Sequence, residues 1–205
     1  HTDIYPDLDA YRDAFERFAG LLPESGTLVL CADHPEVVRL NEATSARVLF
    51  YGVTPAARQL PHALTAERRS YGPAGQVVTV FRGDTRLGEL TVPLFGDHNL
   101  SNTLAACALA MTEGISFERI QAILPLYRGM RRRQEVRGEV DGILVMDDFA
   151  HHPTAVAETL RAVRAGYPDR RLVAVFEPRS NTSRRRDLQG AYVEAFDHAS
   201  QVVLS

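Results

Sequence analysis

The sequence predicts an α/β protein: a parallel layer with a β-rich section, followed by the start of a Rossmann-like unit. Three observations carry that expectation. Helix and strand periodicities alternate over residues 7–51, as they do in parallel α/β layers. Period-two alternation takes over between residues 64 and 94. From residue 143 to residue 204 the order is strand, helix, strand, helix, strand, the βαβαβ pattern that starts a Rossmann-like sheet with right-handed crossovers.

Each element has a local reason. Leu8, Tyr11, Phe15, Phe18 and Leu22 fall near i, i+3, i+7 and define a first helix over 7–22. Thr27–Cys31 is a short buried strand. Asp33-His34-Pro35 opens a second helix, with Asp33 or His34 at its cap and Pro35 at the first position, where no backbone N–H is needed. Arg47–Tyr51 is the next strand. Gly83-Asp84 makes a two-residue hairpin turn between 76–82 and 85–93. Leu100, Leu104, Cys107, Ala108 and Met111 then continue at helical spacing until Gly114, and Ser116 caps a shorter helix. The last unit reads as strand 143–147, helix 153–166, strand 171–177, helix 187–199 and strand 201–204. Three strands make a thin sheet whose edge needs covering.

Composition narrows the function. The chain has 205 residues, 45% of them apolar, and a formal net charge of −3, which gives no broad footprint for nucleic acid or an anionic membrane. No apolar run approaches the roughly 20 residues needed to cross a bilayer. The two cysteines, Cys31 and Cys107, sit in apolar periodic segments, so a reducing cytoplasm is the expected location. His1 is not an initiator methionine, and the start reads as a cut end. All 23 basic residues are arginine. Without lysine there is neither Schiff-base chemistry nor a Walker-type phosphate loop. No Gly-x-Ser-x-Gly elbow is present either, so the chemistry is expected to reside in a bound nucleotide and metal that the protein positions.

The chemistry-bearing residues cluster at element junctions. Asp147-Asp148-Phe149-Ala150-His151-His152-Pro153-Thr154 joins a strand to a helix, on the sheet edge where open α/β folds bind ligands. Adjacent residues on extended chain face opposite ways, so the two histidines need not share a metal. Asp148 can accept ribose hydroxyls, and a histidine before Pro153 can face phosphate; a capped turn with a solvated histidine accounts for the same residues. His98, Asn99 and Asn102 occupy the first turns of another helix, where an anion or an ordinary cap would both sit. Arg131, Arg132 and Arg133 read as a solvated face or as phosphate ligands. The junction Phe176–Arg186 is a second polar, arginine-dense loop.

Together these stretches resemble the Mur ligases, the ATP-dependent amide-forming enzymes of peptidoglycan assembly. Gly96-Asp97-His98-Asn99-Leu100-Ser101-Asn102 looks like their G-x-H-N-x-x-N segment. Gly129–Glu135 resembles the close of their central domain, and Asp147–Thr154 resembles the opening of their C-terminal domain. His1-Thr2-Asp3 is similar to the tail of a D-H-x-D motif. The resemblance implies the latter part of a central ATPase domain over 1–137 and the start of a Rossmann-like C-terminal domain over 138–205.

It also implies ATP and Mg2+ as cofactors, and an acyl phosphate on the muramate carboxylate that an amine attacks. Asn102 would contact adenine, Asp148 the ribose and Arg133 the phosphates, with His98 and Asn99 supporting the pocket. His1 would hold magnesium, and His151 and His152 would lie near the phosphates and metal as catalytic residues. Phe149 and Ala150 in the double-histidine motif, with Glu177–Arg185, resemble the recycling branch, which joins L-alanyl-γ-D-glutamyl-meso-diaminopimelate to UDP-N-acetylmuramate. Arg179, Ser180, Asn181 and Thr182 would then face the murein tripeptide. The L-alanine-adding branch is the alternative within the family; a non-catalytic nucleotide- or precursor-binding module is the alternative outside it. With the phosphate loop and uridine-binding domain absent from the sequence, the chain reads as a fragment without ligase activity of its own.

Overall fold

The computed structural model describes residues 4–178 and 186–205. By packing, the chain divides into two compact units. The first comprises 1–68, 78–90 and 101–122; the second comprises 69–77, 91–100 and 123–205. Among the described residues no helix is long and apolar enough to cross a membrane.

The first helix, α1 (Leu8–Ala19), starts where Asp7 caps it by accepting from the Ala10 N–H at 2.8 Å. Strand β1 (Thr27–Cys31) follows, then α2 (Pro35–Val38) and β2 (Arg47–Gly52). Pro35 sits at the start of α2 as expected, but neither candidate cap bonds there: His34 makes no side-chain cap bond. Asp33 turns away and accepts from the Val53 N–H at 2.9 Å and from the Thr54 N–H and hydroxyl at 2.9 and 2.7 Å, so it clamps the loop after β2. Strands β1 and β2 are parallel, with Cys31 opposite Tyr51. Burial, with Cys31 and Asp33 close by, pushes the Tyr51 phenol up to about 12.

The β-rich section is continuous with the parallel layer. Strand β3 (Leu64–Gly72) pairs parallel with β2 through Tyr51–Leu64 and Gly52–Thr65. Strands β4 (Gly75–Arg82) and β5 (Thr85–Val92) complete a five-stranded sheet of order β1-β2-β3-β4-β5. Two-residue links join β3 to β4 and β4 to β5, which only antiparallel neighbours allow. Gly83, at φ 56, accommodates the left-handed turn between the last two strands. Val78, Val80, Leu90 and Val92 are fully buried. Helix α3 (Asp97–Thr112) and α4 (Phe117–Ile123) follow, with Gly114 at φ 79 ending the former. Cys107 lies in the core, where desolvation raises its thiol to about 11.

In the C-terminal stretch β6 (Glu135–Val140) and β7 (Ile143–Asp147) form an antiparallel pair. Here the structure departs from the expected single run of parallel strands: β7 takes β6 as its partner. The cause is local. Asp141 and Gly142, at φ 51 and 77, both adopt the left-handed conformation that a tight two-residue hairpin demands. Helix α5 (Pro153–Gly166), strand β8 (Val173–Phe176), helix α6 (Gln189–Ala195) and strand β9 (Gln201–Leu204) follow, and β8 and β9 pair in parallel. The predicted helix 187–199 is shorter because Asp197 and Ala199 donate to carbonyls only three residues back, at Glu194 and Phe196. Val156 and Leu160 of α5 pack with Tyr192 and Ala195 of α6 against Ala174 and Phe176 of β8.

Candidate functional site

The second unit gathers His98, Asn99, Gln134 and Asp148 from three separate stretches. Asp148 lies just past the end of β7, half-buried. Its Oδ2 accepts from the Gln134 N–H at 2.9 Å and its Oδ1 from the Ala150 N–H at 2.7 Å. Both oxygens are thereby fixed in direction, and a carboxylate has further lone pairs with which to accept from a ligand's hydroxyls. Asn99 donates from Nδ2 to the Phe95 carbonyl and to Gln134 Oε1, both at 2.9 Å. His98 Nε2 lies 3.4 Å from Gln134 Nε2, while its Nδ1 is buried with no hydrogen-bond partner among the described residues.

Gln134 is the residue that the sequence reading missed. It is 8% exposed and left-handed at φ 51. Nothing local marks it, because its partners lie 14, 35 and 36 residues away.

Burial holds the His98 imidazole below its ordinary 6.5, with Arg133 adding to the effect and Glu158, Asp148 and Asp97 opposing it. The linkage has a definite sign. Between the lowered folded value and 6.5 the unfolded chain binds more protons, so stability is complete above 6.5 and falls as pH drops toward the folded value. Urea midpoints taken from about pH 7.5 to about pH 5.5 are expected to fall further for the native sequence than for His98→Gln. Parallel curves would remove His98 as the source.

The double histidine divides into two chemical states. His152 is the N-cap of α5, and its Nδ1 accepts from the Thr154 N–H at 3.3 Å. Neutral His152 therefore carries its proton on Nε2. His151 Nδ1 lies 3.0 Å from the Phe149 carbonyl, which can only accept. Neutral His151 therefore carries its proton on Nδ1 and has a lone pair on Nε2. Both side chains are exposed, and Tyr192 donates its hydroxyl to the His151 carbonyl. One histidine thus offers a donor and its neighbour an acceptor, which suits phosphate on one side and a proton or cation on the other.

Phe149 organises the arginines. Its N–H bonds to the Arg132 carbonyl at 2.8 Å, and its ring lies 5.2 Å from that of His151. The Arg132 and Arg133 guanidiniums sit 4.8 and 5.9 Å from the Phe149 centroid. Arg132 also approaches Asp147 at 3.6 Å, a solvated pair of small energetic weight. Arg133 is exposed, and Asn102 is exposed on α3 in the first unit. His1, Arg179, Ser180, Asn181 and Thr182 lie outside the described residues. Among the described residues no three His, Cys, Asp or Glu side chains gather for a metal ion.

Comparison with known proteins gives these features a setting. The Mur ligase middle-domain model matches residues 1–110, and the Mur ligase glutamate-ligase-domain model matches 132–205. The chain is 39% identical over its whole length to the UDP-N-acetylmuramate–L-alanine ligase of Salinibacter ruber, of which it covers 42%. It is 38% identical over 98% of its length to the enzyme of that name from Roseiflexus, of which it covers 45%. It therefore spans less than half the length of these relatives. Among solved structures, the UDP-N-acetylmuramate–alanine ligase of Thermotoga maritima superposes with TM-score 0.75 at 26% identity, covering 97% of this chain and 41% of that one. A murein peptide ligase from Psychrobacter arcticus superposes with TM-score 0.66 at 29% identity, covering 98% and 41%. With both domain models matched in order and strong identity across its full length, the chain belongs to the Mur ligase family.

Proposed function

We propose that this chain is part of an ATP-dependent ligase that joins an amine to the carboxyl group of UDP-N-acetylmuramate. The observation that carries the reading is the fixed Asp148 carboxylate at the end of β7, beside His98, Asn99 and Gln134. The donor set of the second unit suits a nucleotide: Asp148 accepts ribose hydroxyls and the Arg133 fork meets phosphate. Asn102 as the adenine contact rests on the family resemblance. His98 and Asn99 support Asp148 through Gln134. His152 offers its Nε2–H to phosphate oxygens, and the His151 Nε2 lone pair is available to a proton or cation. ATP supplies the phosphoryl group that activates the carboxylate; the residues named here orient it. Mg2+ bound by His1, and Arg179, Ser180, Asn181 and Thr182 at the amine substrate, remain parts of the proposal. So does a domain boundary at 137/138, which lies a few residues inside the second matched family model, beginning at 132.

For the amine, the first reading is L-alanine, supported by the names of the Salinibacter and Roseiflexus relatives. It displaces the murein tripeptide expected from the sequence, which rests on Phe149, Ala150 and a loop mostly outside the described residues. The tripeptide is the second reading, supported by that motif and by the likeness to a murein peptide ligase. Phosphate release by the full-length protein with ATP and UDP-N-acetylmuramate separates the two. Faster turnover with L-alanine is the expected result, and faster turnover with the tripeptide would reverse the order. Dependence on neither, with UDP-N-acetylmuramate present, would remove the ligase reading.

A further inference from the structure

We infer that Gln134 is a positioning residue: its amide fixes which ring nitrogen of His98 carries the proton, and it ties that histidine to Asp148. The inference follows from a chain of groups that can each play only one role. The Phe95 carbonyl can only accept, so the Asn99 amide must turn its nitrogen toward it, at 2.9 Å. The same Nδ2 is 2.9 Å from Gln134 and, being a donor, requires the Gln134 oxygen there. That choice leaves the Gln134 nitrogen facing His98 Nε2 at 3.4 Å. An amide nitrogen only donates. His98 Nε2 must therefore be the unprotonated nitrogen, and neutral His98 carries its proton on the buried Nδ1. The opposite tautomer would set N–H against N–H.

The backbone completes the link. Gln134 is left-handed at φ 51 and buried, and its own N–H reaches Asp148 Oδ2 at 2.9 Å. One residue thus grips the Asp148 carboxylate with its main chain and the His98–Asn99 pair with its side chain. The consequence for nucleotide binding rests on the reading of Asp148 given above; the tautomer assignment does not.

Replacements at position 134 have distinct signatures. Gln134→Glu presents only acceptors to both neighbours, so His98 is expected to move its proton to Nε2. Gln134→Leu removes the amide, so the preference for Nδ1–H is lost and the loop holding Asp148 loosens. In the full-length protein, long-range 1H–15N spectra of labelled histidine, with His98→Gln for assignment, report the tautomer directly. The expected outcomes are Nδ1–H in the native protein, Nε2–H in Gln134→Glu, and a mixture in Gln134→Leu. The KM for ATP is expected to rise about tenfold in Gln134→Leu with kcat changed less than about twofold, as loss of one positioning network implies. Thermal unfolding checks that each variant folds, with Gln134→Met replacing Gln134→Leu if it does not. Native Nε2–H, or an unchanged tautomer in Gln134→Glu, overturns the relay. An unchanged KM in Gln134→Leu, when Asp148→Ala raises it, overturns the tie to the nucleotide. If Asp148→Ala leaves KM unchanged as well, the nucleotide reading of Asp148 fails while the spectra still decide the tautomer.

Discussion

Asp148→Ala in the full-length protein is expected to raise the KM for ATP about a hundredfold and to lower stability by about 2 kcal/mol. The two effects have separate causes. Removing the carboxylate deletes the proposed acceptor for ribose hydroxyls, and bonds to a charged acceptor are each worth about 1.5–3 kcal/mol. It also strands two backbone donors, Gln134 N and Ala150 N, held at 2.9 and 2.7 Å. Asp148 is half-buried, so water recovers part of that loss. Asp148→Asn is the informative control. Its amide keeps one acceptor but must point its nitrogen at the other backbone N–H, so it loses part of each effect. Steady-state kinetics and urea midpoints on the same preparations separate binding from folding. An unchanged KM beside a lowered midpoint would make Asp148 a loop clamp and nothing more.

Turn chemistry was the most legible part of the sequence, because it is local. Gly83-Asp84 between alternating strands, and Pro153 after His152 at the start of a helix, both lie where their backbone preferences place them. The same logic applies to Asp141-Gly142, yet the hairpin there was not anticipated. The reason lies in β6. Glu135, Val136, Arg137, Gly138, Glu139 and Val140 offer no buried face, with Val136 51% and Val140 72% exposed, so hydrophobic alternation gives no strand signal. A register shift between Val136 and Gly138 breaks the period further. Asp33 failed differently. A carboxylate before Pro35 suits a helix cap, but the backbone donors of Val53 and Thr54, brought close by parallel pairing of β1 and β2, take it instead.

The candidate site follows the same division. Asp148, His98 and Asn99 could be singled out because each ends a strand or begins a helix, where ligand chemistry concentrates. Gln134 could not, since its role exists only after residues 95–99 and 148 come together around it. The family-like segment Gly129–Glu135 contains Gln134 but singles out Arg133 within it, so the centre of the network carried no assigned role.

A large structural penalty is expected at Gly96. It sits at φ +101, where L side chains are strained, and a Cβ there would come within 2.7 Å of His98 Cε1, 2.8 Å of Ala162 Cβ and 2.9 Å of His98 Nδ1. The backbone has little freedom to yield. The Gly96 carbonyl accepts from Gln76 Nε2 at 3.2 Å and from the Leu100 N–H at 3.1 Å, the latter within the first turn of α3. On one side the obstacle is the Cβ of Ala162, fixed to the backbone of α5, so only the His98 ring can move. Moving it withdraws Nε2 from Gln134 and disturbs the network that holds Asp148. Backbone strain of about 1–2 kcal/mol and overpacking of about 1–3 kcal/mol together predict a loss of about 3 kcal/mol for Gly96→Ala. Gly72→Ala is the unstrained control, because Gly72 is not at positive φ and a Cβ there meets nothing within 4 Å, and its effect is expected to stay within about 0.5 kcal/mol. Urea midpoints of the two variants test the contrast. Equal midpoints would mean that neither the backbone at residue 96 nor the His98 ring resists the added Cβ, and then Gln134 could not be holding that ring.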